Sequence, residues 1–340
     1  MNIEPQTEGS ILILNKLQKI ENSKNLDEKD IEELINNPDI KRWLEAYGGN
    51  DKVYKIFRRS LLSIDEESHS DMDFWEKKID YGFRKAADNI DKMRETIKEI
   101  NNIDWGSVVQ KSLKYLPENT ELDPDFIVTV DGFNGGMFKN GTVFLSIIYF
   151  DRSQFKDNIF AHEFHHMGAE YWFKKNSIIQ RYEEKHDNHF LTNIMKYLVS
   201  EGLANAYCSP GAITKTNTKD KDSEQFNQMI ENYEENQDEL LIQLENLIDK
   251  IISEPDEDLT EPYNDFTVDK EGVGLPPGHF LSGRMIMVMK ESQIVKDKEI
   301  IDLVKNPFDF FDLYNKAAEE LDKRKFSSDL VDKSDRLIEK

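Results

Sequence analysis

The sequence predicts an α+β fold, predominantly α-helical, with a small antiparallel sheet embedded in helical bundles. Three observations carry this. Long stretches on both sides of the chain's middle repeat apolar residues at helical spacing. The one β-rich stretch of any length lies between residues 125 and 149. A helix-compatible segment with two histidines follows it directly.

Residues 8–118 read as helical. Asp51–Leu62 places Val53, Ile56, Phe57 and Leu61 on one stripe, and Asp71–Ile100 continues with Phe74, Trp75, Ile79, Phe83, Ala86, Ile90, Met93 and Ile97. Gly48-Gly49-Asn50 interrupts the chain ahead of them, as glycine and asparagine do at turns. Such long periodic stretches make a packed bundle. The pattern changes after Pro117. Asp125–Asp131 is short, β-branched and bounded by Pro124 and Gly132, a strand signature. After the glycine-rich turn 132–136, Asn140-Gly141 stands between apolar runs as a hairpin signal, and Thr142–Tyr149 reads as the returning strand.

Helices resume over Phe155–Lys174 and Asn188–Tyr207, the second stopped by Ser209-Pro210-Gly211. Lys219–Ile252 reads as one long acidic helix, and Glu254–Gly278, with Pro255, Pro262, Pro276 and Pro277, as a loop. Phe280–Lys290, Lys298–Val304 and Pro307–Leu321 complete the helical set. The expected organisation is an N-terminal helical region, 1–118, and a second region, 119–340. The latter divides into the sheet with its helix (119–175) and a helical half (176–340). No internal repeat is present.

The chain has 340 residues, with 44 Lys and Arg against 67 Asp and Glu, a net charge of -23. That excludes a nucleic-acid binder, which needs a basic footprint, and docking on anionic lipid. With 11% aromatic residues the chain is far from a disordered composition. Its single cysteine, Cys208, forbids an intrachain disulfide and any multi-cysteine metal site; it reads as buried packing. Few cysteines fit a reducing compartment, so the expectation is cytoplasmic, although a secreted mature form would carry the same features. No signal peptide and no membrane insertion are expected, because no basic-then-apolar leader and no apolar run of about 18 residues occur.

The chemistry concentrates in Ala161-His162-Glu163-Phe164-His165-His166. On a helix, positions i and i+4 share a face, so His162 and His166 can reach one ion. Glu163, next to the first ligand, can take a proton from a water there. His165 falls off that face and reads as structural. Catalytic zinc takes three protein ligands and keeps a fourth position open. The extended motif that would supply a third histidine fails, since Ala169 and Trp172 occupy its places and Gly168 is one position off. Glu201 is the candidate third ligand: it sits in the otherwise apolar stretch Tyr197–Tyr207, where a carboxylate needs a partner. Gly202 and Ala204 would let its helix pack close to the motif helix. Glu170, one turn beyond His166, is the rival. Asn205, one turn after Glu201, can hydrogen-bond a ligand histidine. His186 and His189 read as exposed in a polar linker, and His69 as part of an acidic loop.

His162-Glu163-Phe164-His165-His166, with Glu201-Gly202-Leu203-Ala204 downstream, resembles the gluzincin metallopeptidases. More narrowly, it resembles an uncharacterised group of zinc-dependent peptidases. The resemblance covers roughly residues 125–290. It implies an active-site helix, a helical half carrying the Glu ligand, one Zn2+ ion, and a peptide or protein substrate held along a sheet edge. Gly135, Gly136 and Met137 would form that substrate-binding edge. The aminopeptidase relatives carry Gly-x-Met-Glu-Asn here, but Phe138 and Lys139 follow Met137 in this chain. The amine anchor is therefore missing, and an endopeptidase is favoured. Gluzincins usually place Asp four residues after the ligand Glu, where this chain has Asn205. Their helical half also donates a Tyr or His to the developing oxyanion. His279, after Pro276-Pro277-Gly278, is the candidate here, ahead of Tyr207 and Tyr263, with Arg284 available to orient a carboxylate or the substrate. The expected function is zinc-dependent peptide hydrolysis. The alternative is a catalytically inactive zinc-binding protein, or an acidic helical interaction protein, on the same fold.

Overall fold

A computed structural model describes residues 4–22, 25–64, 72, 74–132, 136–150, 156–185, 189–216, 221–254, 257–268 and 275–338. The chain groups into two compact units, one of residues 1–109 and 123–167, the other of 110–122 and 168–340.

The first unit opens with helices α1 (Glu8–Glu21), α2 (Glu28–Asn36), α3 (Pro38–Ala46) and α4 (Asp51–Leu62). Local chemistry sets their starts. Asp27 and Asp30 form a reciprocal capping box on α2, while Asn37 and Asn50 accept from the first free N–H groups of α3 and α4. Pro38 occupies the first turn of α3, where its missing N–H costs nothing. The Gly48-Gly49 break is real: both residues adopt positive φ. The stretch expected as one helix over 71–100 is two, α5 (Phe74–Ala87) and α6 (Ile90–Asn101). Asn89 leaves the helical region (φ -147) and its N–H closes a turn onto Ala86, as Asn does by competing with the helical ladder. Trp43, Phe57 and Phe83 pack edge-to-face at 5.2–6.3 Å between ring centres.

After α7 (Trp105–Leu113) come β1 (Asp125–Thr129), β2 (Gly136–Lys139) and β3 (Thr142–Ser146). The sheet order is β1-β3-β2. The α+β, predominantly helical class holds, but the sheet is mixed, not antiparallel throughout. β2 pairs antiparallel with β3 through the expected hairpin, while β1 runs parallel to β3. The two-residue turn, with Asn140 and Gly141 both left-handed, returns β3 into the central place beside β1. Gln6 bridges the outer edge of β1, donating to the Phe126 carbonyl and accepting from Val128 at 2.8 and 2.9 Å. Arg42 pairs with Asp125 at the strand's start, and Thr142 donates to the same carboxylate. The strand expected to run to 149 stops at Ser146. The Ser146 hydroxyl donates to the Asp131 carbonyl and accepts from the Ile148 N–H, which starts the short helix α8 (Ile147–Phe150).

Helix α9 (Lys156–Phe173) matches its expected span. Phe160 and Phe164 lie one turn apart and face Trp105 at 4.9 and 6.3 Å; Phe164 also meets Phe126 of β1. That apolar stripe pins α9 to the sheet and turns His162 and His166, about 200° around the helix, to the other side.

The second unit contains α10 (Ser177–Lys185), α11 (His189–Leu203), α12 (Lys221–Glu235), α13 (Gln237–Ser253), α14 (Thr260–Thr267), α15 (Pro277–Ser292), α16 (Asp297–Ile301), α17 (Phe310–Glu320) and α18 (Ser328–Ile338). The acidic helix expected over 219–252 is broken at Asn236, whose side chain folds back onto the Asn232 carbonyl. The proline-rich segment read as loop contains α14. Arg181–Lys185, read as linker, belongs to α10. The core is built around α11 and α15, with Leu198, Leu203, Phe280, Met285 and Ile286 fully buried. Gly202 makes their close crossing possible. A Cβ there would stand 2.9 Å from both the Ser282 carbonyl oxygen and Ile286. Gly202 therefore serves contact with α15, a helix the sequence pattern did not pair with it. Among the described residues no helix is long and apolar enough to cross a membrane.

Candidate metal centre

The two motif histidines converge as helical geometry requires. Their Nε2 atoms lie 2.9 Å apart, with the rings nearly perpendicular. Two nitrogens about 2.0–2.1 Å from one tetrahedral ion stand about 3.3 Å apart, so a small rotation of either ring admits a metal. His162 and Glu163 are buried, as is His165, which lies off the ligand stripe.

Glu163 is positioned by the sheet. A Cβ on Gly136 would stand 2.5 Å from Glu163 Cγ, 2.9 Å from Cδ and 3.0 Å from Oε1. The first residue of β2, a sheet-edge strand, therefore lies directly against this carboxylate, and only a glycine leaves it room. The Gly136→Ala variant should fold and bind zinc at the wild-type stoichiometry. Its kcat should fall about 100-fold, the cost of moving a catalytic group by roughly 1 Å; steady-state kinetics beside metal analysis checks this. Met137 alternates to the other face of β2 and pairs in register with Phe144. Gly135 lies outside the described residues, as do His69 and His186.

Glu201 sits on the last turn of α11 with its carboxylate largely covered. His279, in the first turn of α15, brings Nε2 to 3.2 Å from Glu201 Oε2. Behind it, Tyr197 Oη lies 2.5 Å from His279 Nδ1. Burial, and then the charge of Glu201, pushes the Tyr197 phenol well above its ordinary pKa, so Tyr197 keeps its proton. Sequence reading did not single out Tyr197. The signal was present: it stands four residues before Glu201, on the same helix face. Straight after Glu201 the helix widens into a π turn, Ala204–Cys208, a deformation frequent at functional sites. Asn205 is buried there, and its amide donates to the His279 carbonyl at 3.4 Å. It thus ties α11 to the start of α15.

Other candidates have different partners. Glu170 pairs with Lys174 at 3.6 Å. The Tyr207 hydroxyl donates to Asp297, and Lys290 lies 4.0 Å over its ring. Burial holds the Tyr263 phenol up at about 12. Arg284 is five residues beyond His279, about 140° around α15, with a guanidinium nitrogen 3.7 Å from Met287 Sδ. His189, as expected, is exposed. Cys208 is buried, which pushes its thiol up to about 12 and makes it inert packing.

Among the described residues, one group can hold a metal: His162, His166 and Glu201 each offer one ligand atom, and these atoms lie within 4.8 Å of one another. Two imidazole nitrogens and one carboxylate oxygen form a donor set suited to zinc, and a tetrahedral ion would keep its fourth position open.

Comparison with known proteins agrees with this donor set. Searches of curated proteins and of solved structures returned no match. Residues 31–323 match the family described as "Putative zinc dependent peptidase". With most of its length covered by that match, the chain belongs to this family.

Proposed function

We propose that the protein is a zinc-dependent endopeptidase, with one zinc ion held by His162, His166 and Glu201 and with Glu163 as general base. The observation that carries this is the gathering of the three ligand atoms within 4.8 Å, with the carboxylate of the residue beside His162 packed against the sheet-edge strand. A zinc ion there would supply Lewis acidity toward water and the scissile carbonyl. Glu163 takes a proton from the attacking water and delivers it to the leaving amine. Its buried position keeps it free of competing solvent. β2 offers backbone groups along a sheet edge, and an extended peptide can add to such an edge as a further strand. Phe138, where an aminopeptidase would need an acidic anchor, supports internal cleavage. The charge of -23 steers cationic peptides toward the enzyme and repels nucleic acid. The lone, buried cysteine fits work in a reducing compartment such as the cytoplasm.

The test is metal analysis of the purified protein joined to digestion of a peptide library with and without a zinc chelator. The expected result is one zinc per chain and cleavage inside peptides, lost with chelator and restored by zinc. One bound zinc without cleavage would favour an inactive zinc-binding protein. No zinc at all would remove the reading.

A further inference from the structure

Inside the second unit, three side chains form a line whose order has a chemical direction. Tyr197 Oη lies 2.5 Å from His279 Nδ1, and His279 Nε2 lies 3.2 Å from Glu201 Oε2. The rings of Tyr197 and His279 meet edge-on at 5.3 Å. In the tautomer in which the phenol donates to Nδ1, the imidazole carries its proton on Nε2, the ring atom that lies 3.2 Å from Glu201. An outer group of this kind can set both the tautomer and the orientation of a ring at a metal site.

Backbone packing holds the same arrangement. The Gly202 crossing brings α11 within contact of α15. A Cβ on Gly278, next to His279, would stand 2.7 Å from the Tyr197 ring. Asn205 holds the His279 carbonyl from the other end of the turn. The histidine is thus held from three sides, with its Nε2 atom 3.2 Å from the carboxylate.

We propose that Tyr197 and His279 are positioning residues that orient the Glu201 carboxylate for metal binding, and that His279 is not the transition-state donor. This rests on the zinc reading above and adds to it an outer pair for the third ligand.

The experiment measures zinc affinity of the full-length protein by competition with a chromogenic chelator. The variants are Tyr197→Phe, His279→Ala, His279→Gln and the Tyr197→Phe/His279→Ala double; kcat and KM are then measured at saturating zinc. Loss of an outer partner typically weakens metal affinity about 10–100-fold. His279→Ala is expected in that range and Tyr197→Phe below it. His279→Gln, which keeps a donor near Nε2, should recover part of the loss. The double variant should match His279→Ala alone, because the phenol acts only through the imidazole. At saturating zinc, kcat should stay close to wild type. The proposal is overturned if zinc affinity is unchanged in Tyr197→Phe and His279→Ala. It is equally overturned if kcat at saturating zinc falls about 100-fold or more with KM unchanged, the size of a lost oxyanion donor. If His279→Ala does not fold, Tyr197→Phe and His279→Gln decide the matter by the same criteria. A wild-type protein that binds no zinc contradicts the zinc reading itself, an outcome visible before any variant is made.

Discussion

Glu163→Gln should bind one zinc ion as tightly as wild type and lose peptide hydrolysis by about 10²–10⁴-fold, the usual contribution of a positioned general base. The substitution is nearly isosteric, so the close approach of Gly136 to this side chain is kept and the fold is undisturbed. What changes is basicity: an amide cannot accept the proton of the attacking water. His162 and His166 remain one turn apart with their ring nitrogens converged, so the metal is retained. Metal analysis and turnover on one preparation check both halves of the expectation. Full activity in this variant would remove Glu163 from the mechanism.

Glu201→Ala should lose zinc itself. Two imidazoles on one helical turn form a weak chelate, and the carboxylate both completes the coordination and neutralises charge. Affinity should therefore fall by more than the roughly 10–100-fold that follows loss of an outer-sphere partner, and activity should fall with it, recovering only at much higher zinc. The His279 ring would also lose the carboxylate it faces at 3.2 Å. The pairing of zinc loss with activity loss separates this variant from Glu163→Gln, where the two part company. Titration with zinc, followed by turnover, is the check.

The contrast also marks how far the sequence could be read. The histidine pair was legible because spacing alone places i and i+4 on one helix face. Glu201 was legible because a carboxylate in an apolar stretch needs a partner, and the hairpin because Asn140-Gly141 demands a left-handed turn. The parallel pairing of β1 with β3 was not, since sequence order does not say which strand takes the centre of a sheet. The helix breaks at Asn89 and Asn236 were also hidden. Each lies within a continuous apolar stripe, and a single Asn side chain or backbone turn decides the break. The contact of Gly202 with α15 was not legible, because a small residue announces a close crossing without naming the partner. Tyr197 escaped notice because a tyrosine on a helix is ordinarily core. Only the position of His279, 82 residues later, gives it a polar role.

The most direct measurement is a crystal of the full-length protein soaked with zinc and recorded at the zinc absorption edge. The account predicts one strong anomalous peak about 2.0–2.2 Å from His162 Nε2, His166 Nε2 and a Glu201 carboxylate oxygen, with Glu163 beside the open coordination position. A zinc ion bound elsewhere, or bound by the histidines with Glu201 turned away, would contradict it.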